Sequence, residues 1–386
     1  MRRWWLIGGV SGFIAACGAL SQEGDEPWDD SGNSAKLRVF VSDADGTPGA
    51  LDRVGWSLAS DMSVARHDHT ATVLPSGQVL VAGRYTGDTV QSAEEYGPFT
   101  RSWSRTGEMG AVRRGHTASL LHSGKVLVSG GFNLREGILA SAEEYDSSTD
   151  RWSRVGPMAA LRTVHTATVL PSGKVLIAGG FGVGGALSEA ELYDPATRTF
   201  STTRRMNLAR YGHSAVLLST GKVLVVGGLG AEGELSSAEV YDPKAQTWSE
   251  IPSMARPRAW LTATRLLSGE VLVAGGGDRS VEVYEPGADA WKEVGSMSTA
   301  RAHHTATLLP SGQVLVVGGI DTTALASTEL YDPLKEQWSH AGELAMARSH
   351  HTASLLPSGS ILVAGGHTSS GPLAGTEVYV PPAPGP

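Results

Sequence analysis

The 386-residue chain carries 31 Lys and Arg against 39 Asp and Glu, a net charge of −8, with 49 glycines and only 18% charged residues. That profile fits a turn-rich all-β protein long enough to bury a sizeable core, and it excludes disordered and coiled-coil chains. Acidic and basic residues are interspersed without a basic stripe, so nucleic-acid binding has no electrostatic footprint here.

Residues 1–17 read as an export signal. Arg2 and Arg3 precede an apolar stretch that is too short to span a bilayer as a helix. Ile14-Ala15-Ala16-Cys17 resembles the bacterial lipobox, in which small residues precede a cysteine that is diacylated and becomes the new N-terminus, so Cys17 is the expected lipidation site. The competing readings are an ordinary cleaved signal and an uncleaved anchor. Cys17 is the sole cysteine, so the exported body forms no disulfide and depends on packing. Residues 18–50 read as an acidic, polar, turn-rich tether. Within them residues 37–41 have strand character but no assignable partner.

From Trp56 the chain repeats itself, and the repeats decide the architecture of residues 51–381. Seven copies share one pattern: Met-x3-Arg-x2-His-Thr-Ala, Ser-Gly, Val-Leu-Val-x-Gly-Gly, Ala-Glu-x-Tyr-Asp, then Trp. The arginines are Arg66, Arg113, Arg162, Arg210, Arg258, Arg301 and Arg348, giving a period of about 47 residues. Double glycines recur from Gly130-Gly131 to Gly365-Gly366, with Gly83-Arg84 as the imperfect copy. The tyrosines are Tyr96, Tyr145, Tyr193, Tyr241, Tyr284, Tyr331 and Tyr379. This pattern resembles the kelch repeat, whose marks are a double glycine ending the second strand, a tyrosine in the third and a tryptophan in the fourth. The resemblance implies a seven-bladed β-propeller of four-stranded antiparallel blades. Such small sheets cannot bury both faces alone and must stack around a ring. Within each unit His-Thr-Ala opens the first strand, and a Pro75-Ser76-Gly77 type turn leads to the second.

The last unit stops after Tyr379 with no tryptophan, whereas Trp56 stands unmatched six positions before Met62. The outer strand of blade seven is therefore expected from residues near Trp56, closing the ring with both ends of the chain.

Seven internal copies separate scaffold from variation, since no single site needs sevenfold chemistry. The recurring arginines match seven glutamates, Glu94, Glu143, Glu191, Glu239, Glu282, Glu329 and Glu377, and are expected to form bidentate pairs linking strands or neighbouring blades. His69, His116, His165, His213, His304 and His351 are expected to satisfy backbone groups rather than form a metal ring, because blade five has Leu261 at that position. No metal or other cofactor is expected.

Length variation is confined to the link between strands two and three. From the first glycine to the tyrosine it runs 13, 15, 14, 14, 9, 13 and 14 positions. Strand alternation puts that link on the same face as the connection between blades, which holds two variable positions before each histidine. The candidate ligand face is therefore His67, Asp68, Arg114, Tyr211, Trp260, His303 and His350, with Arg279 from the shortest link. These groups suit a sugar, a peptide or an anionic ligand, and the competing reading is a varied, solvated loop surface.

Two functions follow. The first is a non-catalytic interaction or ligand-binding propeller, monomeric, displayed on the bacterial envelope by its lipid and binding an unknown protein or glycan. The alternative is a secreted carbohydrate-active enzyme, such as one similar to the kelch-like sialic-acid mutarotases, which have six blades. Copper radical oxidases related to galactose oxidase also use a seven-bladed kelch domain, but they need a cysteine cross-linked to a tyrosine. With Cys17 in the export signal, that cofactor cannot be built. Serine-nucleophile and phosphate-loop motifs do not occur, and no catalytic residue is assigned.

Overall fold

A computed structural model of the protein describes residues 53–83 and 92–382. Cys17, the tether and residues 37–41 lie outside them. The described residues contain strands and no helix, and they form seven four-stranded antiparallel sheets with three small two-stranded ones. Blade one runs outward through Thr70–Val73, Val79–Ala82, Ala93–Gly97 and Ser102–Arg105. The second strand of each blade is fully buried, because each blade packs both faces on its neighbours. The apolar clusters accordingly lie between blades: Val79, Val81 and Tyr96 of blade one pack with Leu362, Ala364 and Val378 of blade seven. The seven innermost strands touch in a closed circle.

Blade seven comprises Thr352–Leu355, Ile361–Ala364, Thr376–Val380 and, as its outermost strand, Gly55–Leu58. Trp56 stands opposite Tyr379, their ring centroids 5.1 Å apart. Its indole N–H donates to Thr328 Oγ1 and to the Ala341 carbonyl on blade six, both at 3.1 Å. Trp103, Trp152, Trp248, Trp291 and Trp338 likewise donate to carbonyls of the connection entering their own blade. The ring thus closes as the repeat spacing predicts. Trp56→Ala removes a half-buried indole and both of its bonds, and should cost about 3 kcal/mol, the low end for large core truncations. A denaturant midpoint unmoved by that change would contradict closure through this strand.

The arginine–glutamate expectation holds for the pairing and is corrected in its geometry. Each arginine reaches the glutamate of its own blade, as in Arg210 Nη2 to Glu239 Oε1 at 2.9 Å, and not that of a neighbour. The contact is not bidentate. Nη1 instead donates to the carbonyl of the first glycine of the pair, at 2.7–3.0 Å in all seven blades. The second carboxylate oxygen accepts the backbone N–H just after the methionine or Leu344, at 2.5–2.8 Å. One buried ion pair thereby ties the incoming connection, the second strand and the third strand together.

The histidine expectation is also corrected. Each Nε2 pairs with the side-chain hydroxyl of a threonine on the preceding blade, at 2.9–3.1 Å, as in His116 with Thr70 and His69 with Thr352. Where Leu261 replaces the histidine, the preceding blade has Ser214 in place of threonine, and Ser214 accepts the Ala263 N–H instead. The double glycines belong to the same joint. A Cβ on Gly179 would meet the Arg210 carbonyl at 2.5 Å and His213 at 2.9 Å, and its φ of +60° suits glycine.

Candidate functional site

The connection between blades and the link between strands two and three meet on one face, as the strand alternation requires. The second variable position before each histidine or Leu261 adopts a left-handed backbone in all seven blades: Asp68, Gly115, Val164, Gly212, Trp260, His303 and His350, with φ from +48° to +60°. Five of these are not glycine, and for a β-branched or bulky residue the conformation is strained, by about 1 kcal/mol or more each. The structure that imposes it is a closed annulus. Each of the seven N–H groups donates to the carbonyl of the equivalent residue in the preceding blade, at 2.8–3.4 Å, ending with Asp68 N–H to the His350 carbonyl. The channel mouth is therefore rimmed by backbone whose ring-forming N–H and carbonyl groups are already paired, and side chains do the presenting.

Those side chains form an arc of rings. From Phe181 to Tyr211 the centroids are 5.1 Å apart, then 6.0 Å to Trp260, 4.7 Å to His303 and 4.0 Å to His350. The arc continues 6.3 Å to His67 and 4.9 Å to His367. Trp260 lies directly on Gly212, where a Cβ would come within 3.0 Å of the indole. Asp68 is buried within the arc, its Oδ2 3.0 Å from His67 Nδ1. Burial lowers the imidazole of His350 to about 4, against an opposing pull from Asp68. Burial likewise lowers His303 and His367, with the neighbouring histidines His350 and His67 adding to it. These three rings are neutral at pH 7, and each neutral ring offers one donor and one acceptor.

His67, Asp68, Tyr211, Trp260, His303 and His350 are thus brought together. Arg114 stands on blade two with its guanidinium 5.0 Å over Phe132, the aromatic-apolar side of the mouth. Arg279 does not join the arc but is exposed on the short link of blade five. Sequence reasoning missed His367, Phe132 and Phe181, which follow the double glycine and bridge to the first variable position, as in Ser349 with His367. The signal was present: His367 is polar where Phe132, Phe181, Leu229 and Ile320 are apolar.

The description "KLHDC2/KLHL20/DRC7 Kelch-repeats domain" matches residues 68–277, more than half of the chain, and the kelch motif matches residues 301–345. The chain belongs to the kelch-repeat family of β-propellers, a fold that supports protein-interaction and binding roles. No curated protein matches the sequence. Among solved structures it is similar to a novel fungal alcohol oxidase of the AA5 family, in complex with copper, at 20% identity and a TM-score of 0.71. That match covers 86% of this chain and 77% of the other, and at this identity the likeness concerns the fold alone. The mouth does not fit a copper-radical centre. The described residues contain no cysteine to join to a tyrosine, and His303 and His350 stack ring on ring rather than converging on a point. Among the described residues no three His, Cys, Asp or Glu side chains converge as a metal site.

Proposed function

We propose that the protein is a non-catalytic binding propeller, held on the bacterial envelope by lipid on Cys17, that takes a protein or glycan ligand over this mouth. The observation that carries the reading is the concentration of rings and charged groups from seven different blades on one face of an otherwise repetitive scaffold. The route of the chain supports it. Gly55–Leu58 is entered, and Thr376–Val380 is left, on the face opposite the mouth, so an N-terminal anchor leaves the mouth unobstructed. Glycan and peptide arrays probed with the protein should give hits that a Trp260→Ala, Arg114→Ala double variant loses while its melting temperature holds. An absence of hits on both arrays would favour a spacer role. For the anchor, Cys17→Ser should move the protein from the membrane fraction to the soluble one. The His67–Asp68 contact favours a second reading, a carbohydrate-active enzyme using that pair as acid and base. Anomer exchange of sialic acid accelerated by the protein, and lost in Asp68→Asn, would establish it.

A further inference from the structure

The links around the mouth build a rim of unequal height. In blades two, three and seven they fold into two-stranded hairpins, Phe132–Asn133 with Gly137–Ile138, Phe181–Gly182 with Gly185–Ala186, and His367–Thr368 with Gly371–Pro372. Blades four and six close theirs with single bridges, Leu229 to Glu234 and Ile320 to Ala324. Blade five has neither. Its second strand runs to Gly275 and its third starts at Val281, and the few residues between are held low by Asp278, which accepts the Ser280 N–H at 2.9 Å and pairs with Arg256 at 3.1 Å. Among the described links this is the one breach in the rim. It lies on the blade that carries Trp260, and its floor and flank are the exposed Gly277, Arg279 and Arg256.

We infer that the mouth takes the end of a linear, uncharged oligosaccharide, whose body leaves across the breach of blade five past Arg279 and Arg256. The inference deepens the binding reading above and rests on it. Two observations select a sugar over a peptide, and a third selects a chain over a small molecule. The mouth annulus pairs its own N–H and carbonyl groups, and residues such as Arg114 and Phe132 exchange theirs with each other at 2.9–3.0 Å. An extended peptide, which is recognised largely through main-chain hydrogen bonds, therefore finds few partners. What the mouth presents is ring edges and neutral imidazoles, each both donor and acceptor, which is the pattern of a sugar hydroxyl. A breach on one side suits a chain that continues beyond the site, whereas a closed rim would suit a small molecule.

The test uses neutral glucan, xylan and chitin oligosaccharides of increasing length, with titration calorimetry at pH 7. In at least one series affinity should rise about tenfold between disaccharide and tetrasaccharide and then level off. Trp260→Ala should abolish binding of all lengths. Replacing Gly277–Arg279 with the blade-two link Phe132–Ile138 should remove the gain from length and leave disaccharide binding within about twofold. Should that graft fail to fold, the Arg256→Ala, Arg279→Ala pair should lower affinity for the tetrasaccharide alone, by about threefold. Affinity flat with length, or a length gain untouched by these variants, overturns the route across blade five. Peptide hits lost in Trp260→Ala, without any neutral glycan hit, overturn the sugar class while leaving the mouth as a binding site. Binding of nothing by the mouth overturns both readings.

Discussion

Glu239→Ala should destabilise the propeller by about 3–5 kcal/mol, the range for removing one member of a buried ion pair. Its carboxylate accepts from Arg210 Nη2 at 2.9 Å, from the Asn207 N–H at 2.7 Å and from the Leu208 N–H at 3.1 Å, and both Arg210 and Glu239 are buried. Truncation leaves the fully buried Arg210 guanidinium without its counter-charge and takes the acceptor from two part-buried amides, the buried charge carrying the larger desolvation cost. Replacing both partners by apolar residues, Arg210→Met with Glu239→Leu, should recover part of the loss, because no charge is then left buried. Denaturant unfolding of the single and double variants decides the matter. A loss below about 1 kcal/mol for Glu239→Ala would mean that the repeated charges are solvated ornament and not the tie between strands.

The scaffold was largely legible because it is written seven times. Trp56 could be assigned to blade seven from its distance to Met62, since tryptophan and methionine keep one spacing throughout, apart from Phe200 and Leu344. The arginines and glutamates could be paired by their equal numbers. What repetition does not encode is which second oxygen or nitrogen takes which backbone group, and so the fork expected at Glu239 is in fact shared between Arg210 and two amides. The histidine contact was hidden for a different reason. It joins residues in consecutive blades, one full period apart, and only the coincidence of Leu261 with Ser214 betrays it in the sequence.

The mouth was legible as a location and not as a geometry. Asp68, Gly115, Val164, Gly212, Trp260, His303 and His350 have no residue type in common, so nothing in them announces a shared left-handed backbone; only the two glycines point that way. The conformation is imposed by the annulus and not by local preference. His367 lies on the link and not in the connection before the histidine, and only its contrast with Phe132, Phe181, Leu229 and Ile320 at the same repeat position marks it.

Acid should unfold the protein steeply, with about five to six protons per molecule taken up on unfolding at pH 6 to 5 by the inter-blade histidines alone. Burial lowers His116 and His213 to about 3, and it holds His69, His165, His304 and His351 well below the ordinary histidine value. The nearby arginine of the same blade, such as Arg113 beside His116, adds to the effect. In the unfolded chain these rings titrate near 6.5. Above that pH neither state is protonated and the native state keeps its full stability. As pH falls from 6.5 toward 3 the unfolded chain binds protons that the native state refuses, so stability is lost continuously through this window. Exposed carboxylates such as Asp146, Asp194 and Asp242, lowered by hydrogen bonds and their lysines, add to the loss only in the lower part of this window and leave the upper part to the histidines. The mouth rings His303, His350 and His367 act in the same direction. Blade five supplies the control. His165→Leu with Thr117→Ser copies the Leu261–Ser214 joint into another pair of blades, and should lower the proton uptake by about one while the fold is kept. Unfolding free energy measured by denaturant at closely spaced pH values gives the slope directly. A slope of only one or two protons between pH 6 and 5 would show that the six inter-blade histidines take up protons in the native state, contrary to the lowering by burial.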